Sequence, residues 1–465
     1  MQEQTIFDLM YPRFVLNKPI RLIELFAGIG SQATAMKRLG LNFERWRICE
    51  WAVKSILAYK NLHSEDQKDY SQALTKDELI ETLSQFGISS DYNKQMTRTQ
   101  IAQLKEERLR EIYNAIKSTN NLVNIQNIQA KDLDIIDTDI YIYICFYSFP
   151  CQDLSLAGKG KGMADTSTRS GLLWEVERLL SDLEEKPQCL IMENVVDVHN
   201  ERNKDDFIRW IKRLEELGYK NYIQDLIATD YGIPQTRNRC FMVSLLGEYS
   251  YQFPPKQKLN LKLKDMLEEK VDEKYFLSDR MMNYIFSKDD KYQVSEGSLQ
   301  INREIAVAKT TREGCTRADA SDYIGVIDSY NKRETNPNYA GTIVAGQGRN
   351  QGSMLMIKNA TKKGYLEANV GDGIDISGRM EHHRGTVQKE KTQTLNTYGG
   401  ENIGVVEKDL RIRKLTPREC GRLQGFKDEE IDKIMIGQSD SSVYHLFGDS
   451  IVVNVIEALI KMMEE

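Results

Sequence analysis

Ile20-Arg-Leu-Ile-Glu-Leu-Phe26-Ala-Gly28-Ile-Gly30-Ser31, running on to Leu39-Gly40, is the stretch from which the fold follows. Ile20 to Phe26 is largely apolar and ends in a glycine turn, so it reads as a buried strand. Ser31 to Leu39 has apolar residues at helical spacing and stops at Gly40. The pattern then repeats. Glu44 to Cys49 reads as a strand ending at Glu50, and Trp51 to Tyr59 as its helix. Further on, the apolar run Ile140 to Phe149 leads straight into Pro150-Cys151-Gln152. A helix through Leu172, Val176, Leu179 and Leu183 precedes the strand Gln188 to Met192 and its end, Glu193-Asn194-Val195. The helix Phe207 to Leu217, closed by Gly218, precedes strands at Tyr222 to Ala228 and Cys240 to Leu245, the latter flanked by Arg237 and Arg239. Such alternation specifies an α/β fold with a doubly wound, Rossmann-like sheet. Open sheets of this kind bind ligands at the carboxyl ends of their strands, where parallel strands would set Glu50, Cys151 and Glu193.

At 465 residues the chain is too long for one ordinary core, and two domains are expected. Residues 62–130 read as a helical insert, with a Thr75-x-x-Glu78 capping box and with Ile101, Leu104, Ile112 and Ile116 on one long helix. After Gly247 the β-α rhythm gives way to short strand-like segments broken by Gly, Asn and Thr. Order returns at Leu415-Thr416-Pro417-Arg-Glu419, where Thr416 is the expected N-cap, Pro417 the first helical residue and Glu419 the closing member of a capping box. A last helix begins near Ser450. The expected division is therefore 1–249, with the insert, 250–408 as a second, smaller, loop-rich domain, and 409–465 as a return to the first.

Seven scattered cysteines without metal spacing point to reduced thiols and a cytoplasmic protein. The doublet His382-His383 lacks companion ligands, so no metal is expected. No stretch approaches the roughly 18 apolar residues of a membrane span, and Met1 to Lys18 carries acids where a signal peptide is basic. A net charge of -6 neither supports nor excludes a nucleic-acid partner.

Taken singly, each feature has a plain explanation. Gly28-x-Gly30 falls short of a full dinucleotide fingerprint, Cys151 alone is more often a small core residue, and Glu50, Glu193, Arg237 and Arg239 are ordinary surface charges. Their order changes this. Leu25-Phe-Ala-Gly-Ile-Gly30, Phe149-Pro-Cys151-Gln152 with Leu154-Ser155, Glu193-Asn-Val195 and Gln235-x-Arg237-x-Arg239 resemble, in sequence order, motifs of the cytosine-5 DNA methyltransferase family of bacterial or phage type. Arg413-x-Leu415-Thr-Pro-Arg418-Glu419-Cys420-x-Arg422-Leu-Gln-Gly425-Phe426 and Phe447-Gly-Asp449-Ser450 resemble its last two, beyond a variable region.

The resemblance implies a Rossmann-like methyltransferase sheet with a target recognition domain over about 250–408. It implies DNA methylation at cytosine C5, in duplex DNA, with S-adenosyl-L-methionine as donor, S-adenosyl-L-homocysteine as product and no metal. Carbon 5 of cytosine is a poor nucleophile until a thiolate adds at carbon 6, and the resemblance gives that thiolate to Cys151. Glu193 would meet the N3 side of the ring, while Arg237 and Arg239 would hold the base and its backbone. Phe26, Ala27, Gly28, Ile29 and Gly30 would wrap the amino-acid part of the cofactor, Glu50 would take the ribose hydroxyls, Trp51 would lie on the adenine and Leu173 would close the pocket. Asp132 is the expected adenine-contacting acid, without the family's usual preceding glycine, and Asp449, beside Ser450, stands where Asn is usual. Ser31 and Tyr147-Ser148 replace common glycines.

A base inside a duplex cannot reach Cys151, so base flipping is implied, with Ser155 to Ser170 as lid and Lys159, Lys161 and Arg169 facing phosphates. Arg312, Arg317, Arg333, Arg349, Arg379 and Arg384 are available for base readout, none of them singled out. A monomer is expected, with a cognate restriction endonuclease as the partner if the chain serves restriction-modification. The alternatives are a transfer-RNA cytosine-5 methyltransferase, for which the long variable region is superfluous, and an inactive DNA-binding regulator, which retention of Cys151 and Glu193 disfavours.

Overall fold

The computed structural model describes residues 11–150, 170–277, 326–328, 333–334, 354–359, 365–376, 386–395, 403–407 and 412–464. Cys151, the 155–169 part of the expected lid with Lys159, Lys161 and Arg169, His382-His383 and five of the six arginines named for base readout (312, 317, 349, 379 and 384) lie outside them.

Contacts divide the chain into two units. The first comprises residues 1–233, 238–258 and 424–465, and the second 234–237 and 259–423.

In the first unit, strands β1 (Ile20–Leu25), β2 (Phe43–Cys49), β3 (Ile142–Tyr147), β4 (Cys189–Val195), β5 (Tyr219–Ile227) and β6 (Asn238–Leu246) form one sheet in the order β2-β1-β3-β4-β6-β5. β1 pairs in parallel with β2 and β3, and β3 with β4. Every residue of β1 and β3 is buried, as parallel strands covered by helices on both faces must be. β6 runs antiparallel to β4 and β5. This reversal decides the site, because it turns the start of β6, not its end, toward the carboxyl end of β4.

Helix α1 (Ser31–Arg38) follows the glycine turn and has its first six residues buried. Helix α2 (Val53–His63) follows β2. Across the sheet, Trp174, Val176, Leu179 and Leu180 of α6 (Leu173–Asp182) join Phe207, Trp210 and Leu214 of α7 (Lys204–Glu216) and the β3 and β4 side chains in one hydrophobic core. The fully buried indole of Trp210 donates to the Tyr147 hydroxyl at 3.1 Å, which satisfies the one polar atom it brings into the core.

The insert forms α3 (Lys76–Phe86), α4 (Arg98–Ala102) and α5 (Glu106–Ser118). The Thr75–Glu78 capping box is formed, with Glu78 N–H donating to Thr75 Oγ1 and Thr75 N–H to Glu78 Oε2. The single long helix expected through Ile101 and Ile116 is instead two. Lys105 is extended, and Glu106 and Glu107 start a new helix where its N-terminal dipole favours acids. Ile101, Ile112 and Ile116 still share a core with Leu79, Leu83 and α2 residues Ile56 and Leu57.

The residues after 424 add α9 (Asp428–Met435), α10 (Asp440–Asp449) and α11 (Val453–Lys461). The stretch 440–461 is apolar enough for a membrane span by composition, yet extended residues at 450–452 break it and most of it is buried in the protein.

The second unit holds two antiparallel sheets of four short strands among its described residues, within 326–368 and 373–414. In it α8 (Pro417–Leu423) has the expected start. Thr416 N–H donates to Glu419 Oε2 at 2.7 Å and Glu419 N–H to Thr416 Oγ1 at 3.2 Å, and Arg413 clasps both Glu419 oxygens at 2.8 Å.

Candidate active site

The chain leaves β1 at Leu25 and turns sharply. Phe26, Gly28 and Gly30 all take left-handed φ angles, of 61°, 56° and 77°. At Gly28 a Cβ would meet nothing within 4 Å, whereas at Gly30 it would stand 2.3 Å from His63 Nε2 and 2.6 Å from Tyr59 Cε2. One glycine therefore faces open space and the other is pressed against α2. Beneath the turn the Tyr59 hydroxyl donates to the fully buried Glu24 carboxylate. Burial raises the Glu24 pKa to about 7 against the pull of that bond.

Glu50, just past the end of β2, is also buried. Gly28 N–H donates to Oε2 at 2.9 Å and Ala52 N–H to Oε1 at 2.7 Å, so the carboxylate ties the glycine turn to the start of α2. Its backbone is held from the other side by Asn121 of the insert, whose side chain bonds Glu50 N and O at 3.0 and 2.9 Å. Burial pushes the Glu50 pKa up to about 7, the two N–H donors pull it down, and the Asp449 charge adds to the rise. Trp51 is half-buried beside it. Ile29 and Leu173 are buried and Asp449 is exposed. Ser450 donates its hydroxyl to Phe447 O at 2.9 Å. Asp132 caps its own turn, accepting from Gln129 N–H at 2.8 Å.

Glu193 stands at the carboxyl end of β4, one strand from β3. Ser148 Oγ donates to its Oε2 at 2.5 Å, and Arg239 Nε lies 3.2 Å from its Oε1. Next to it, Asn194 Nδ2 donates to Phe149 O at 2.9 Å, fixing the backbone that leads into Pro150-Cys151. Arg237 is held in the second unit, where it donates to Leu395 O at 2.9 Å. Glu193 and Arg239 are thus brought together. Sequence reading missed Ser148, Asn121 and Asn194 as partners, although Ser148 had stood out as a departure from the usual glycine.

On the other face of β6, set by the pairing of Cys240 with Asn194 rather than with Glu193, His199 Nε2 lies 3.0 Å from Asp225 Oδ1 beside buried Cys240. This is a His–Asp hydrogen-bonded pair away from the Glu193 side.

Fold and site define a class, an α/β sheet with a glycine turn, a buried acid after β2 and a buried acid at the end of β4, as in methyltransferases. Residues 86–465 match the model of the C-5 cytosine-specific DNA methylases. The Type II methyltransferase M2.ScrFI of Lactococcus lactis subsp. cremoris is 32% identical over 448 residues, covering 95% of this chain and 98% of that protein. The orphan methyltransferase M.SssI of Spiroplasma monobiae is 33% identical, covering 69% and 85%. Among solved structures, an Entamoeba histolytica methyltransferase aligns over 96% of this chain and 98% of its own, with a TM-score of 0.50 and 14% identity, a likeness of fold. The chain belongs to the C-5 cytosine-specific DNA methylase family and is a DNA (cytosine-5-)-methyltransferase. S-adenosylmethionine is that family's methyl donor.

Proposed function

We propose that this protein methylates cytosine within a specific sequence of duplex DNA, with Cys151 as nucleophile and Glu193 as the group that stabilises the activated ring. The observation that carries the reading is the Glu193 carboxylate, buried and gripped by Ser148 and Arg239, on the strand beside the one that continues into Pro150-Cys151. The Cys151 thiolate adds to carbon 6 of a cytosine turned out of the helix. Glu193 holds a proton or hydrogen bond at N3, offsetting the negative charge that spreads into the ring, and Arg239 fixes the carboxylate's direction. Carbon 5, now nucleophilic, takes a methyl group, then gives its proton to a water molecule as the electron pair of that C–H bond restores the 5,6 double bond and Cys151 leaves carbon 6 as the thiolate.

The glycine turn fits the cofactor. Gly28 opens onto free space with its N–H committed to Glu50, whose remaining acceptor capacity suits ribose hydroxyls. Phe26 to Gly30, Glu50, Trp51, Leu173, Asp449 and Ser450 would hold S-adenosylmethionine, which when bound supplies a methyl group made electrophilic by its sulfonium. Asp132 caps its own turn through Oδ2, and its Oδ1 would be the oxygen to meet adenine. The region over about 250–408 would read the DNA sequence.

Incubation with labelled S-adenosylmethionine and duplex DNA tests the proposal. Label at carbon 5 of cytosine is expected, lost in Cys151→Ala. Label confined to RNA would overturn the substrate, and an active Cys151→Ala the mechanism.

A further inference from the structure

The insert brings more than a packed core to the first unit. Its loop 89–95 is strapped to the segment that follows Glu50, with Ser89 N–H donating to Trp51 O and Val53 N–H to Ser89 O, both at 2.8 Å. The loop is closed on itself. Asp91 Oδ1 accepts from Asn93 N–H at 2.9 Å and Lys94 N–H at 3.2 Å, and Ser89 Oγ donates to Lys94 O at 2.7 Å.

At the tip stands Tyr92 with φ at 62°, a left-handed conformation that costs a bulky L-residue roughly 1–2 kcal/mol. Surrounding contacts must over-determine it, and strain of this kind gathers at functional sites. Those contacts are specific. The phenol ring stacks on His445, with centroids 4.1 Å apart and planes 14° from parallel, and its hydroxyl lies 3.2 Å from Ser55 Oγ of α2. His445 Nδ1 in turn lies 3.0 Å from Asp449 Oδ2. Glu50 and Asp449 are both near enough to the phenol for their charges to oppose its ionisation.

We infer that Tyr92, delivered by the insert, is a positioning residue of the S-adenosylmethionine site, clamping the Glu50 segment to the His445–Asp449 pair. This rests on the cofactor reading above and extends it to a segment that none of the motifs covers. An acid at 449 puts a second negative charge near Glu50. The Nδ1 of His445 faces that acid at 3.0 Å, and the stack of Tyr92 keeps the imidazole turned toward Asp449. Without the ring the imidazole is free to rotate, and Asp449 is left to repel the Glu50 carboxylate.

The test uses the full-length protein and Tyr92→Asn, because Asn tolerates the left-handed conformation and removes the ring without adding strain. Calorimetric binding of S-adenosylhomocysteine should weaken about tenfold, with a similar rise in KM for S-adenosylmethionine. The KM for DNA should change less than twofold, and the melting temperature should not fall. Tyr92→Phe keeps the stack and should bind within threefold of the wild type. Binding by Tyr92→Asn within twofold of wild type, or a lowered melting temperature with unchanged binding, would overturn the inference. A wild-type protein that does not bind S-adenosylhomocysteine would overturn the cofactor reading itself, and this inference with it.

Discussion

The Nε of Arg239 lies 3.2 Å from Oε1 of Glu193, across a pair of strands that run in opposite directions. Only an antiparallel β6 could bring its first residues beside the end of β4, so the reversal of one strand lets a basic side chain meet the acid. The Glu193 side chain is 6% exposed, and its other oxygen is taken by Ser148. Replacing Glu193 with Gln should lower kcat by about 10²–10⁴-fold, the usual range for a positioned proton-transfer group, while S-adenosylhomocysteine binds within twofold of wild type. Arg239→Ala strands a buried carboxylate and should cost on the order of 3 kcal/mol in urea unfolding as well as activity. Unchanged turnover in Glu193→Gln would remove Glu193 from the chemistry.

Covalent trapping tests the partner of that acid. Fluorine at carbon 5 cannot leave as a proton does, so duplex DNA with 5-fluorocytosine at the target should remain attached to the enzyme after methyl transfer. Peptide mapping should place the adduct on Cys151. The described cysteines 49, 145, 189, 240 and 420 are all buried, and burial is the main cause that pushes the thiols of Cys49, Cys145, Cys189 and Cys240 upward in pKa, away from the nucleophilic thiolate. An adduct on any of these would refute the assignment.

The two glycines of the turn should separate folding from binding. Gly30→Ala drives a Cβ into His63 and Tyr59 at a φ of 77°, so overpacking adds to strain, and a loss of roughly 3 kcal/mol of stability is expected. Gly28→Ala meets nothing and carries only the left-handed penalty, about 1 kcal/mol. Its methyl would instead enter the space offered to the cofactor, and S-adenosylhomocysteine affinity should fall at least tenfold. Equal melting temperatures for the two variants would contradict the packing described for Gly30.

Much of this site could be read along the chain because the strands of a doubly wound sheet advertise themselves. The strands end at Leu25, Cys49, Tyr147 and Val195, and the candidate residues Phe26 to Gly30, Glu50 and Glu193 lie at or just past those ends. The capping boxes at Thr75 and Thr416 were equally legible, since both partners lie within four residues. What sequence could not supply was direction and distance. A strand's apolar pattern is the same whichever way it runs, so the reversal of β6 has no signature. Tyr92 and His445 are 353 positions apart by number and meet only through tertiary packing. The break at Lys105 was hidden because Ile101, Ile112 and Ile116 keep facing one core on both sides of it.

The buried acid beneath the glycine turn predicts an unusual pH dependence. Glu24 has a pKa near 7 in the folded protein against an ordinary 4.5, with burial as the main cause. Between those values the folded state holds a proton that the unfolded chain has released. Stability from this group is therefore fully present below about pH 4.5 and lost as pH rises through 7. His63, which burial and the charge of Arg45 hold neutral, works in the opposite sense and is weakened by acid, so the total profile mixes the two. Glu24→Gln isolates one of them. Glutamine mimics the protonated acid and can still accept from Tyr59, so the variant should match the wild type near pH 4.5 and exceed it by about 1–3 kcal/mol at pH 8. Urea midpoints for both proteins at the two pH values measure this directly. A difference between the proteins that is the same at pH 4.5 and pH 8 would mean that Glu24 does not titrate in this window, and that Tyr59 and Ala33 N–H hold it as a carboxylate despite its burial.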